Sequence, residues 1–171
     1  PVTVLSGQLL LGVINGAFYA LLSLGLAVIF GLLKIINFAH GAMYMLGAMA
    51  TVVLFDNLGV NYWVALFVAP IMVGALGVLI EYFLLRRIGG QDHIYSLLLT
   101  FGVALMIQGI LTNIYGVSGL RYSMPEVFKG GMNLGFMFLP YYRAWVIVMA
   151  LLVCFGTWFM IEKTKLGSYL R

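Results

Sequence analysis

"LSGQLLLGVINGAFYALLSLGLAVIFGLL", residues 5–33, runs for twenty-nine positions without a charged side chain. About 20 apolar residues cross the hydrocarbon core of a bilayer as a helix, so this segment is long enough to span it and must tilt, protrude or break to absorb its excess. Asn15, near its middle, is a candidate break or hydrogen-bonding point. The rest of the chain has the same character. Its 171 residues are 64% hydrophobic and 8% charged, with a mean hydropathy of +1.11, whereas a soluble domain carries about 25% charged residues.

Four further apolar runs of spanning length follow, at residues 35–55, 62–85, 94–115 and 144–161. They lack the strict alternation of barrel strands, and lipid leaves unpaired backbone groups expensive. The expected fold is therefore an all-α integral membrane protein, a bundle of about five transmembrane helices in one membrane domain over residues 1–171. The first run is too long for the hydrophobic part of a secretory signal and has no basic stretch ahead of it, so it reads as a retained span. The absence of an initial Met reads as a trimmed or partial chain.

Basic residues set the orientation. Lys34, Arg86, Arg87, Lys163, Lys165 and Arg171 fall on one side of the five spans, and Arg121, Lys129 and Arg143 on the other. The positive-inside rule then places the N-terminus outside and the C-terminus in the cytoplasm. Tyr62, Trp63, Tyr141, Tyr142 and Trp145 sit at span ends that suit the headgroup layer. Because the charges cap spans instead of forming a basic patch interleaved with aromatics, the net charge of +4 calls for membrane lipid as a partner and not for nucleic acid.

Cys154 stands alone in an apolar run, without disulfide or metal-ligand spacing. No GxSxG, HExxH or paired intramembrane carboxylates are present, so no catalytic residue, metal or cofactor is expected. No GxxxxGK[ST] loop is present either, which puts any ATP hydrolysis on another chain.

The second run carries an unexpected polar cluster, "LLKIINFAHGAMYMLGAM" at residues 32–49. At helical pitch Asn37, Gly41, Tyr44 and Ala48 share one face, with Lys34 and His40 on its flanks. Lys34 can snorkel to the interface, but Asn37 and His40 lie deeper, where polar side chains face a bundle interior or a water-filled path. For His40 a structural hydrogen bond and a place on a translocation path both stand open. In the fourth run Thr100 and Gln108, eight residues apart, fall near one face as interior positions. Gly12, Gly16, Ala20, Ser23, Ala27 and Gly31 form a small-residue ladder suited to close helix packing. Pro70 predicts a kink in the third run, and Glu81 is placed to pair with Arg86 and Arg87. Residues 116–142 are too long for a turn and read as a short interfacial helix or a docking surface for an outside partner.

The run "GLAVIFGLLKIINFAHGAMYMLGAM", residues 25–49, resembles the permease subunits of branched-chain amino acid ATP-binding-cassette importers, with "INFAHG" followed by "MYMLGA" its most specific part. "NGAFYALLSLGL", "EYFLLRR", "SLLLTFGVALMIQG" and "EKTKLGSYLR" extend the likeness over nearly the whole chain. The resemblance implies a permease subunit of a bacterial inner membrane, working with a second permease subunit, two cytoplasmic ATPase subunits and an extracytoplasmic substrate-binding protein. It also implies that the chain is part of a longer permease fold whose later spans lie beyond it. Asn37, His40, Tyr44, Asn15 and Gln108 are then candidates for the path, and Lys163, Lys165, Gly167 and Arg171 for coupling to the ATPases. An ATP-independent channel or carrier subunit, a scaffold subunit, and a permease for urea or short amides remain alternative readings.

Overall fold

The computed structural model describes residues 2–33, 36–88, 92–120, 122, 124–135 and 137–165. Five helices are long and apolar enough to cross a membrane: α1 (Val2–Leu33), α2 (Ala39–Leu58), α3 (Tyr62–Ile80) with its extension, α5 (His93–Tyr115) and α6 (Tyr141–Lys163). The all-helical membrane architecture expected from the apolar runs is the one observed. No more than 11% of the most apolar stretch of any span is buried within the chain. Side chains such as Phe67, Ile71, Met106 and Phe155 stay exposed, as suits helices whose apolar flanks meet lipid or further helices.

The chain folds as two compact units, residues 29–123 and residues 1–28 with 124–171. In the first, α2 packs on α3 through Leu54, Ala65 and Ala69, with Ala50, Val60 and Val68 around them. Gly47 and Gly77 face this interface, where a β-carbon would lie 3.9 Å from Val73 and 3.7 Å from Met43, ordinary contact distances. α2 ends at Gly59, which takes a left-handed φ of 60°. The Gly59 N–H donates to the Phe55 carbonyl at 3.1 Å and the Val60 N–H to that of Leu54 at 3.1 Å, a glycine-terminated cap that satisfies the final carbonyls.

α3 passes through Pro70 as a helix. Its regular hydrogen bonding gives way further on, in a π-helical turn at Glu81–Leu85 that leads into α4 (Arg86–Ile88). No ion pair joins Glu81 to Arg86 or Arg87. The Arg86 guanidinium lies over the Tyr82 ring instead, 5.8 Å from its centre, an i,i+4 cation–π contact.

In the other unit Ala17 of α1 meets Val146 and Ala150 of α6, with Phe18, Leu21, Tyr142 and Ile147 packed against them. The small-residue ladder of α1 is not this contact face. Its six residues are exposed, and a side chain at Gly12, Gly16 or Gly31 would meet nothing within 4 Å. The larger Ile14, Phe18 and Leu21 bury more surface, and α6 supplies the small partner, Ala150. Residues 124–140 form no membrane-spanning element. A 3-10 turn at Glu126–Phe128 leads to an antiparallel hairpin, β1 (Gly131–Asn133) and β2 (Phe138–Pro140), with Met132 opposite Leu139.

A helix break held by Thr100

The second span starts later than its apolar pattern indicates. Residues 36 and 37 are not helical and α2 begins at Ala39, ending at Leu58, against an expected 35–55. Asn37 provides the local reason: its side-chain oxygen accepts the Ala39 N–H at 2.9 Å, and its backbone carbonyl accepts the His40 N–H at 3.3 Å. Short polar side chains compete with the helix in this way at its first turn. Asn37 therefore lies ahead of α2 as a cap and does not share a helical face with Gly41, Tyr44 and Ala48.

Thr100 provides the tertiary reason. Its hydroxyl accepts the Phe38 N–H at 3.2 Å and lies 3.0 Å from the Leu97 carbonyl and 3.5 Å from that of Ile36. Thr100 is 1% exposed, so this one oxygen serves two strands of backbone away from solvent. Phe38 and Phe101 close over the junction edge to face, their rings 6.3 Å apart.

Thr100 is the eighth residue of α5, about 10 Å along it by helical rise. The turn at 36–38 thus packs against α5 about two helical turns from its start. Unsatisfied peptide groups are costly away from water, so non-helical backbone persists there only where protein covers it or where it lines a cavity. Both conditions occur here: Thr100 covers the backbone, and a cavity of about 520 Å³ opens beside it, lined by Phe30, Gly31, Ile36, His93 and Ser96.

The other candidate residues distribute as follows. His40 is half-buried in the first turn of α2, and Tyr44, one turn on, is half-exposed. Gln108 is exposed on α5, in a groove of about 600 Å³ shared with Leu105, Gly109, Thr112 and Asn113, where the Thr112 hydroxyl donates to the Gln108 carbonyl at 2.8 Å. Asn15 is exposed on α1, in the other unit, beside the buried Ile14. Lys163 ends α6 and Lys165 follows it, both exposed, and the Thr164 hydroxyl donates to the Met160 carbonyl. Lys34, Gly167 and Arg171 lie outside the described residues. The sequence had marked Thr100 only as an interior position, and Thr112 and Asn113 were not singled out. Their helical spacing, four and five residues after Gln108 and seven and eight after Leu105, was the available signal. Among the described residues no cluster of His, Cys, Asp or Glu is arranged to hold a metal ion.

Five helices long and apolar enough to cross a membrane define a multi-pass helical membrane protein. Residues 8–171 match the family described as branched-chain amino acid transport system / permease component. The chain belongs to that family. It is 27% identical over 177 residues to the high-affinity branched-chain amino acid transport system permease protein BraD of Pseudomonas aeruginosa, an alignment covering 96% of this chain and 57% of BraD. It is also 27% identical over 136 residues to LivH, the protein of the same description from Escherichia coli K12, covering 75% of this chain and 44% of LivH. The chain thus spans about half the length of these relatives. No solved structure matches it significantly.

Proposed function

We propose that this chain forms part of the membrane path of an ATP-binding-cassette importer for branched-chain or related amino acids in a bacterial inner membrane. The observation that carries the reading is the turn at 36–38, where Asn37 and Thr100 stabilise non-helical backbone between spans beside a cavity. Concave sites between helices with a few convergent polar groups are where membrane and soluble proteins bind small ligands.

The chemistry of these elements suits a cargo without net charge. No Asp, Glu, Lys or Arg occurs at residues 36–55 or 94–115. Asn37, His40, Tyr44, Gln108, Thr112 and Asn113 supply neutral donors and acceptors, which suit the ammonium and carboxylate of a zwitterion, while Phe30, Ile36 and Leu105 supply apolar wall for a branched side chain. Asn15 is a further path candidate on α1. ATP binding to two cytoplasmic ATPase subunits moves the inner helix ends, with Lys163, Lys165, Gly167 and Arg171 at the coupling side, and a second permease subunit completes the path. An extracytoplasmic binding protein delivers the cargo to the side on which α1 begins.

Cysteine accessibility in cells tests this reading. In a Cys154→Ser background, single cysteines at Gln108 and Thr112 react with a membrane-impermeant thiosulfonate, those at Met106 and Ile110 on the other side of α5 do not, and leucine slows the reaction where urea does not. Equal reactivity at all four positions, or protection by urea alone, would overturn the assignment.

A further inference from the structure

The hairpin of β1 and β2 is apolar on both faces. Within residues 131–140 the one polar side chain is Asn133, and its oxygen is engaged by the Gly135 N–H at 3.1 Å, which closes the turn. Residues opposite each other share a face, so Phe138 lies with Asn133 on one side and Met132 with Leu139 on the other. Phe138 is 58% exposed and Met132 51% exposed. A two-stranded hairpin standing in water alternates apolar and polar side chains, and this one does not.

Its position identifies what covers it. β2 ends at Pro140 and α6 begins at Tyr141 with no intervening residue, and the Tyr141 N–H donates to the Gly130 carbonyl at 3.2 Å. The preceding 3-10 turn is anchored on the same helix: Phe128 is buried, its ring 5.6 Å from Trp145 and 6.2 Å from Tyr142. Those two residues and Tyr141 make the aromatic end of a membrane span, which belongs at headgroup level. Three residues of strand reach about 10 Å, not much more than the headgroup layer itself, about 5–7 Å on each side of the hydrocarbon core. The module's charged groups are Glu126 and Lys129, on the 3-10 turn and its flank, paired at 2.6 Å and open to water, and Arg143, exposed in the first turn of α6, where a long basic side chain reaches the headgroup layer.

We infer that the hairpin lies in the membrane interface, with Phe138 and Met132 among lipid headgroups and upper acyl chains, so that β1, β2 and the aromatic end of α6 form one lipid-binding collar. The occupant of both faces is the bilayer.

Site-directed spin labelling tests this directly: Cys154 is the one thiol in these 171 residues, and it is changed to Ser together with any cysteine the gene encodes beyond them. The whole protein, expressed from its own gene, is labelled at Phe138→Cys, Met132→Cys or Glu126→Cys and reconstituted in phosphatidylcholine–phosphatidylglycerol vesicles. At 138 and 132, collisions with oxygen exceed those with a water-soluble nickel chelate several-fold, and at 126 the order reverses. Nickel-dominated collisions at 138 and 132, as at 126, would place the hairpin in water and overturn the inference. Exclusion of both reagents would show that protein covers it, and would overturn it equally. Leu134→Cys at the hairpin turn replaces either label position that fails to reconstitute, with the same expected order.

Discussion

The Phe38 N–H and the Thr100 hydroxyl, 62 positions apart in sequence, meet at 3.2 Å in a site closed to solvent. This bond ties the start of α2 to the side of α5, and the break between the first two spans depends on it. Thr100→Val removes the acceptor while conserving shape, and leaves a peptide N–H without a partner. A loss of about 1 to 3 kcal/mol is expected, read as earlier thermal unfolding in detergent. Thr100→Ser keeps the oxygen and recovers most of it. A valine variant as stable as the parent would show that Thr100 does not hold the break.

Asn37 is expected to act first as a helix cap. Asn37→Ala costs about 1 kcal/mol, and Asn37→Ser restores most of that loss. Transport separates the capping role from a path role: if Asn37 also contacts cargo, the serine variant regains stability while leucine uptake keeps a raised KM. If uptake and stability recover together, capping is its whole contribution. His40→Ala is measured alongside, and full uptake in well-assembled Asn37→Ala and His40→Ala variants would remove both residues from the path.

Tyr122 is half-buried, and its hydroxyl is closed to solvent with no hydrogen-bond partner among the described residues; its ring lies 5.3 Å from that of Phe55 and 6.5 Å from that of Tyr62. Burial, then Tyr62 and Asp56, raise its pKa above the ordinary value of 10.0. Folded Tyr122 therefore holds its proton at a pH where the unfolded chain loses it. Its contribution to stability is complete below about pH 10 and falls away as pH rises past that point. Tyr122→Phe removes an unsatisfied hydroxyl and gains on the order of 1 kcal/mol at neutral pH. Melting curves between neutrality and pH 11 should fall less steeply for the phenylalanine variant; parallel curves would contradict this.

Gly131 has no room for a side chain. A β-carbon there would lie 2.5 Å from the Leu139 carbonyl oxygen and 2.6 Å from the Phe138 ring. Gly131→Ala should open the hairpin at a cost of about 1 to 3 kcal/mol, seen as faster proteolysis at residues 131–140. Gly74→Ala, where a side chain meets nothing within 4 Å, is the neutral control.

How much of this was legible in the sequence follows from the range of the forces involved. The five spans were, because solvation by lipid requires long uncharged runs, and the expected 94–115 differs from His93–Tyr115 by a single residue. The start of α2 was not. "IINFAHG" is apolar throughout apart from Asn37 and His40, and the choice between helix and break depends on a hydroxyl 62 residues away. The α1–α6 contact was not legible for a related reason: small residues permit close approach, but only the partner decides which face is used, and Phe18 and Leu21 pack with Ala150 of α6 while the ladder stays exposed. The hairpin was hidden because "MNLGFMFLP" has no alternation to betray its strands. The path candidates Asn37, His40 and Gln108 were visible because a neutral polar side chain stands out in a lipid-spanning run.

Uptake of labelled leucine at nanomolar concentration, in cells of the native host stripped of their other leucine systems, is the most direct measurement. Deleting the gene for this chain should abolish ATP-dependent leucine accumulation, and a plasmid copy should restore it. Leucine accumulation that survives the deletion, above all if uptake of urea is lost in its place, would contradict the assignment of this chain to a branched-chain amino acid importer.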